Sequence, residues 1–134
     1  MVTEILVKES LSSEMISAGK RLTVLLDKNN FNVSASLWFY MSDVNTWRFI
    51  IASPEVSSKG IKIAYERVQR IISSISTNKP LITLKDISLL EPSDSLISSL
   101  RIAVRTGNSI SGIRFSQNVI NGILIEDAYI YRLT

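Results

Sequence analysis

The chain contains no cysteine and no histidine among its 134 residues. Without cysteine it has no disulfides, no thiolate nucleophile, no iron–sulfur cluster and no cysteine zinc site. Without histidine it lacks the usual general base and the commonest transition-metal ligand. Catalysis by Ser-His-Asp or Cys-His groups is therefore excluded. An enzyme built on this sequence would have to use carboxylates, lysine, tyrosine, serine or a hard oxygen-bound metal such as Mg²⁺.

Glycine-rich loops and long apolar runs are also missing. The five glycines are widely separated along the chain, and none is spaced as in a phosphate-binding or dinucleotide-binding loop, so we expect no cofactor. No apolar run approaches about 18 residues, so we expect no membrane-spanning helix. The first fifteen residues carry acids and no basic head before a long apolar core, which is not typical of a secretory signal. We therefore expect a cytoplasmic protein.

Length and composition favour one soluble domain over residues 1–134, with 46% apolar and 20% charged residues. A chain of this size buries roughly 65% of its unfolded surface, so it needs no metal or disulfide to fold. The formal net charge is +3, but the 15 basic and 12 acidic residues are interspersed. No basic cluster is longer than Lys20-Arg21. A mixed solvated surface is therefore a better interpretation of this charge than a nucleic-acid-binding patch.

Residues 33–53 contain two runs rich in aromatic and β-branched residues, separated by the polar segment 42–46. This pattern predicts an antiparallel hairpin. Our predicted register sets Tyr40 opposite Arg48 and Phe39 opposite Phe49. Both faces of the hairpin are then largely apolar, which is typical of strands in the middle of a sheet. One face would carry Leu37, Phe39, Phe49 and Ile51, and the other Trp38, Tyr40, Arg48 and Ile50.

Three amphipathic stripes predict three helices. Apolar residues at alternating three- and four-residue steps predict the first over about residues 4–28 and the second over about residues 58–76. The third begins after Ser93, its expected N-cap, and ends at Gly107. An alternating run predicts a strand over about residues 81–90. The buried side of the third helix is predicted to be Leu96, Ile97, Leu100, Ala103 and Val104.

The strongest local signal is Asn121-Gly122 between two β-rich runs. Both residues tolerate the positive φ of a type I′ turn, so this pair predicts a two-residue hairpin. The turn fixes the register and places Arg114 directly opposite Tyr129 and diagonal to Asp127. The predicted core face is Ile113, Phe115, Val119, Leu124, Ala128 and Ile130. The predicted polar face is Arg114, Ser116, Asn118, Asp127, Tyr129 and Tyr131.

The resulting order, αββ-αβ-αββ, predicts an α+β fold with a five-stranded, mainly antiparallel sheet and three helices. Three helices barely cover one side of five strands. We therefore expect the second side to face a partner, and a second copy of the chain is the favoured one.

Two groups of residues are candidates for binding. The first is Arg114, Asp127, Tyr129 and Tyr131 on the C-terminal hairpin, because arginine and tyrosine are enriched at interfaces; the alternative is a solvent-exposed strand ladder with one ion pair. The second is Trp38, Tyr40 and Arg48. If helices cover these three, they are core residues; if not, they could stack a base, bind an anionic small molecule or contact a second copy.

We therefore predict a non-catalytic cytoplasmic binding or interaction domain, with a homodimer or a protein partner. The alternative is a nucleic-acid-associated protein or a Mg²⁺-dependent, carboxylate-based nuclease. Such a site could use Asp43, Glu126 and Asp127 only if the fold gathered them, and neighbouring strand residues point to opposite faces. We accordingly predict no metal ligand and no catalytic residue.

Overall fold

The structure, a computed structural model, describes residues 10–75 and 80–134. These residues form an α+β fold with one five-stranded sheet, which confirms the predicted fold class. The helices are α1 (Ser13–Lys28), α2 (Glu55–Ser58), α3 (Ile61–Ser73) and α4 (Ser95–Ala103). The strands are β1 (Ala35–Met41), β2 (Thr46–Ala52), β3 (Ile87–Leu90), β4 (Ile113–Ile120) and β5 (Ile123–Leu133).

The strand order in the sheet is β3-β2-β1-β5-β4. The pairs β1–β2, β1–β5 and β4–β5 are antiparallel, whereas β2 and β3 are parallel. A parallel pair needs a crossover connection, and the segment that contains α2 and α3 provides it. The sheet is thus mainly antiparallel, as predicted, with one parallel edge strand.

The helices differ from the predicted ones mainly at their ends. α1 begins at Ser13 because the Ser12 hydroxyl accepts a hydrogen bond from the Met15 N–H at 3.1 Å and caps the helix. The predicted start near residue 4 lies outside the described residues. The predicted second helix corresponds to α3 and begins at Ile61, after Gly60, whose φ of +90° separates α3 from the short α2. The fourth helix is α2, which precedes the predicted range and was not predicted.

The segment before β3 is not the extended strand predicted for residues 81–90. Leu84–Asp86 form a 3₁₀ turn, and β3 contains only the last four residues of the predicted run. A capping box stabilises the turn, because the Asp86 carboxylate accepts hydrogen bonds from the Thr83 N–H at 2.9 Å and from its hydroxyl at 3.0 Å.

The last helix, α4, is also shorter than predicted. Asp94, not Ser93, is its N-cap, since the Asp94 carboxylate accepts from the Leu96 N–H at 2.9 Å. The helix ends at Ala103, which is exposed although it was predicted to be buried. Ile97 and Leu100 are fully buried, as predicted.

The register of the β1–β2 hairpin differs from the predicted one by one residue. Tyr40 pairs with Trp47 and Phe39 with Arg48, so the prediction that Tyr40 faces Arg48 is wrong. The loop has four residues, and Asn45 within it has a φ of +51°. Because side chains alternate along a strand, this slip exchanges the two faces of β2 relative to β1. Arg48 therefore lies on the opposite face from Trp38 and Tyr40.

The β4–β5 hairpin has the predicted register, with Arg114 opposite Tyr129 and Phe115 opposite Ala128. Gln117, however, has a φ of +56° and no partner in this register. Beyond it the alternation reverses, so that Ile120 and Ile123 pack inward. Val119 and Leu124, predicted to be core residues, are instead 66% and 56% exposed.

Helices cover both faces of the sheet, so the expectation of one open face is wrong. The first face, defined by Trp38, Tyr40, Trp47, Phe49 and Ile51, packs against α1 and α3. The second face, defined by Ala35, Leu37, Phe39, Ile50 and Ala52, packs against α4. The end of the β4–β5 hairpin also covers the second face, because Ile125 is fully buried in the same cluster.

A bulge in β5 fixes how α1 contacts the sheet. Leu37 pairs with Ile130 and Ser36 with Arg132, so Tyr131 is an extra residue between two pairs. Tyr131 packs in the cluster beneath α1, and Arg132 reaches the Asp27 carboxylate of α1 through Nη1 at 2.7 Å and Nη2 at 2.9 Å. The bulge therefore directs two consecutive side chains of β5 to the same helix.

Gly19 is the point of closest approach between α1 and the first face. A Cβ added at this residue would lie 2.7 Å from Tyr131 Cζ and 2.8 Å from Trp38 Nε1. Both aromatic side chains donate to the preceding turn of α1: Trp38 Nε1–H to the Met15 carbonyl at 3.0 Å, and the Tyr131 hydroxyl to the Ile16 carbonyl at 2.5 Å. A side chain at position 19 would displace these donors.

We predict that Gly19→Ala destabilises the protein. Alanine is a better helix former than glycine by about 1 kcal/mol. The overlap with Tyr131 and Trp38 outweighs this preference, and overpacking of this kind lowers the free energy of unfolding by about 1–3 kcal/mol. Urea unfolding followed by tryptophan fluorescence measures the change. Ser17→Ala, at an exposed position of the same helix, is the control and changes stability little; a Gly19→Ala variant as stable as the wild type would contradict the packing argument.

Candidate functional site

The structure divides the seven predicted binding residues among different environments. Trp38, Tyr40 and Tyr131 are buried in the cluster of the first face, and Arg48 lies on the second face. Arg114, Asp127 and Tyr129 remain together on the β4–β5 hairpin. The predicted grouping of Trp38, Tyr40 and Arg48 on one face is therefore not present.

Trp38 and Tyr131 are core residues. They are 2% and 1% exposed, and each donates its polar hydrogen to a carbonyl of α1. The placement of Trp38 matches the alternative in which helices cover the central hairpin. Tyr131 was predicted on the polar face of the C-terminal hairpin and is buried instead. Burial raises the pKa of Tyr131 above its ordinary value, and a side-chain hydrogen bond with Trp38 offsets only part of this effect. The phenol is therefore held neutral to a higher pH than in an unfolded chain.

Arg48 stabilises the β3 edge of the sheet. Its Nε donates to Ser88 Oγ at 2.9 Å, while Nη1 and Nη2 donate to the carbonyls of Lys85 and Ile87 at 3.0 and 2.9 Å. All three guanidinium nitrogens thus bind the segment that contains the 3₁₀ turn and β3. Charge-assisted hydrogen bonds of this kind fix a short edge strand that pairs along only four residues.

Arg114 and Asp127 form the ion pair that the hairpin register predicts. Nε and Nη2 of Arg114 each donate to one carboxylate oxygen of Asp127 at 2.6 Å. The Asp127 side chain is 6% exposed and that of Arg114 is 49% exposed, so the carboxylate is buried beneath the arginine. The hydrogen bond with Asp127 raises the pKa of Arg114, against the lowering effect of desolvation. Nη1 of Arg114 has no acceptor among the residues that the structure describes.

An indole ring supports the same guanidinium. Arg114 Cζ lies 5.7 Å from the centroid of the Trp47 ring, within cation–π distance. Trp47 packs edge-on against Tyr40 with ring centroids 5.3 Å apart, and the Tyr40 hydroxyl donates to the side-chain oxygen of Asn45. The sequence interpretation missed Trp47. A four-residue loop would have placed it opposite Tyr40, and this was the signal that could have found it.

Tyr129 borders the ion pair on the neighbouring strand. Its ring packs edge-on against Tyr131 with centroids 5.2 Å apart, and it remains partly exposed. Gly112 provides the space for its hydroxyl end, since an added Cβ there would lie 3.2 Å from Tyr129 Cζ. The ring is thus fixed from below by Tyr131 and laterally by the backbone that precedes β4.

Two exposed apolar residues continue this surface toward the hairpin turn. Val119 and Leu124 are cross-strand partners. They alternate with Ile120 and Ile123, which pack in the second cluster, so they project to the side that carries Arg114. The outer hairpin face is defined by Arg114, Val119, Leu124 and Tyr129, with Asp127 and Trp47 beneath Arg114.

The outer hairpin face has the chemistry of a binding surface. It combines a fixed guanidinium, a phenol and exposed aliphatic side chains, which can bind acceptor groups and apolar surface. No group of three or more Asp and Glu residues within residues 10–75 and 80–134 is arranged to hold a metal ion. Among those same residues, no helix is long and apolar enough to cross a membrane.

We predict that Tyr131→Phe makes the free energy of unfolding depend less on pH in the alkaline range. The wild-type free energy of unfolding falls as the pH rises above about 10, because an unfolded tyrosine ionises there whereas the folded Tyr131, with its raised pKa, stays neutral. The variant loses about 1 kcal/mol at neutral pH with the hydrogen bond to Ile16. Its stability then decreases less steeply with pH. Urea unfolding across this range tests the difference, and parallel alkaline losses in the two proteins would contradict it.

Comparison with known proteins gives no relative. No family model, no curated protein and no solved structure matches the chain.

Proposed function

We propose that the protein is a non-catalytic cytoplasmic interaction domain, and that its outer hairpin face binds a second copy of the chain. The observation that carries this proposal is Arg114, whose half-exposed side chain is paired with the buried Asp127 and lies over the Trp47 ring at cation–π distance. An arginine held in this way loses little side-chain entropy on binding. Arginine and tyrosine are also the residues on which binding energy commonly concentrates.

Arg114 can contribute a directed contact to such an interface. Asp127 occupies Nε and Nη2, so Nη1 presents its N–H groups to a carbonyl or carboxylate of the partner. The ion pair is neutral overall. It therefore favours a polar acceptor on a protein surface over a highly charged ligand.

The apolar part of the outer hairpin face supports a protein partner. Val119 and Leu124 form one exposed pair, at 66% and 56% exposure, next to a polar rim. Exposed aliphatic residues that are adjacent across two strands make a continuous apolar patch, and such patches mark interaction sites when they are large enough.

The position of β4 favours a second copy as the partner. Within residues 10–75 and 80–134, β4 is an edge strand, with β5 as its only neighbour in the sheet order. It contains neither proline nor lysine, the residues that commonly protect an edge. Two copies related by a twofold axis would place the same hairpin on both sides of the contact, and a closed dimer forms in this way.

Light scattering coupled to size-exclusion chromatography tests the dimer. We expect the wild type to be a dimer, and Arg114→Ala and Leu124→Ser each to raise its dissociation constant about tenfold or more, since interface anchors contribute about 1–2 kcal/mol or more. Ile102→Ser removes a residue that is 68% exposed on α4 and is the matched control with no effect. A monomeric wild type, or a dimer that neither hairpin variant weakens, would overturn the proposal.

A nucleic acid is the alternative partner, because an exposed guanidinium held over an aromatic ring can also contact a base. A gel shift with single- and double-stranded DNA across a salt series, with and without Mg²⁺, separates the two. The interaction proposal predicts no salt-dependent shift and no cleavage. A shift that weakens with salt and is lost in Arg114→Ala would replace it.

A further inference from the structure

A polar cavity of about 460 Å³, open to solvent at the surface, lies between the end of α1, the turn that follows it, the loop before β4 and the end of β5. It shares no residue with the outer hairpin face. Its volume is within the range of small-molecule sites. It is lined by Asp27, Asn30, Asn32, Val33, Asn108 and Arg132.

The three asparagines bring unused hydrogen-bonding groups to this cavity. Asparagine side chains in turns ordinarily bond to nearby backbone. Asn30, Asn32 and Asn108 are exposed, however, and within the part of the chain that the structure describes their side chains make no hydrogen bond to the protein. Asn30 and Asn32 have φ values of +57° and +62°, a conformation that asparagine tolerates better than other residues with a Cβ. Each amide offers two donor hydrogens and one acceptor oxygen.

The ion pair of Asp27 and Arg132 contributes a neutral, ordered wall. The Arg132 side chain is 8% exposed and that of Asp27 is 38% exposed. Asp27 binds both Nη atoms, and its oxygens have lone pairs left that can accept from hydroxyl groups. Arg132 Nε is buried and has no partner among the described residues. It is closed to solvent, so the contacts we assign to a ligand are those of the amides and of Asp27.

We infer that this cavity binds a small neutral polyhydroxylated molecule, such as a monosaccharide or a cyclitol. Hydroxyl groups both donate and accept, as the three amides do, and the carboxylate of Asp27 adds an acceptor. The wall has no net charge, so it does not favour an anion or a cation. No aromatic ring lines the cavity, so a nucleobase would find no surface for stacking.

Nuclear magnetic resonance of the ¹⁵N-labelled full chain tests the inference directly, because the side-chain amides of Asn30, Asn32 and Asn108 give their own signals. Titration with D-glucose and with myo-inositol is expected to shift these three signals saturably, with dissociation constants in the millimolar range or below. Asn108→Ala, at a position without positive φ, should weaken the binding about fivefold through the loss of its hydrogen bonds.

Asn118→Ala is the matched control. Asn118 lies on β4, its amide donates to the Ser116 carbonyl at 3.0 Å, and its loss should leave the titration unchanged. Sodium acetate and choline chloride are the charged probes and should not shift the three signals. The inference is overturned if neither polyol gives a saturable shift, if a charged probe binds as tightly, or if Asn108→Ala binds the polyols as the wild type does.

Discussion

The contact between α1 and the bulged end of β5 determines which large side chains of the sheet are buried beneath the helix. Gly19 lets the helix backbone approach the rings of Tyr131 and Trp38, whose donors bond to the carbonyls of Met15 and Ile16. The bulge then directs Arg132 to the same helix. The polar hydrogens of two large aromatics are thereby satisfied inside the core, as burial of such groups requires. The rings of Trp38 and Tyr131 therefore stabilise the fold and are not exposed to solvent.

The sequence predicted the C-terminal hairpin well because its turn chemistry is specific. Asn121-Gly122 permits only a short connection, so the pairing of Arg114 with Tyr129 and its diagonal contact with Asp127 followed. The central hairpin has no such marker. A polar run of five residues allows loops of different length, and one residue of difference exchanges the faces of β2. In a similar way, the positive φ of Gln117 reverses the side-chain alternation at the end of the β4–β5 hairpin. A glutamine in the sequence does not predict such a φ.

The helical cover could not be predicted from the number of helices alone. α4 has nine residues, yet the second face is buried because the end of the β4–β5 hairpin also packs there through Ile125. That contribution depends on the reversal at Gln117, which no local pattern indicates. The sequence also did not predict that the asparagines of the cavity lie close together. The sequence predicted only that the first helix ends near residue 28. The proximity of Asn30 to Asn108 arises from the pairing of the loop before β4 with the end of β5, at Gly107 and Leu133.

Three arginines show why residue type alone does not identify a binding residue. Arg48 donates through all three nitrogens to the segment of β3, and Arg132 is buried against Asp27. Arg114 also has a carboxylate partner, but half of its side chain is exposed and Nη1 is not used by the described residues. The chemistry of the three is identical in the sequence. The three differ in the number of N–H groups that remain after the hydrogen bonds among the described residues are made. Of the five N–H groups of a guanidinium, Arg48 keeps one on each Nη atom, whereas Arg114 keeps three, including both on Nη1, and so retains more donors for a partner.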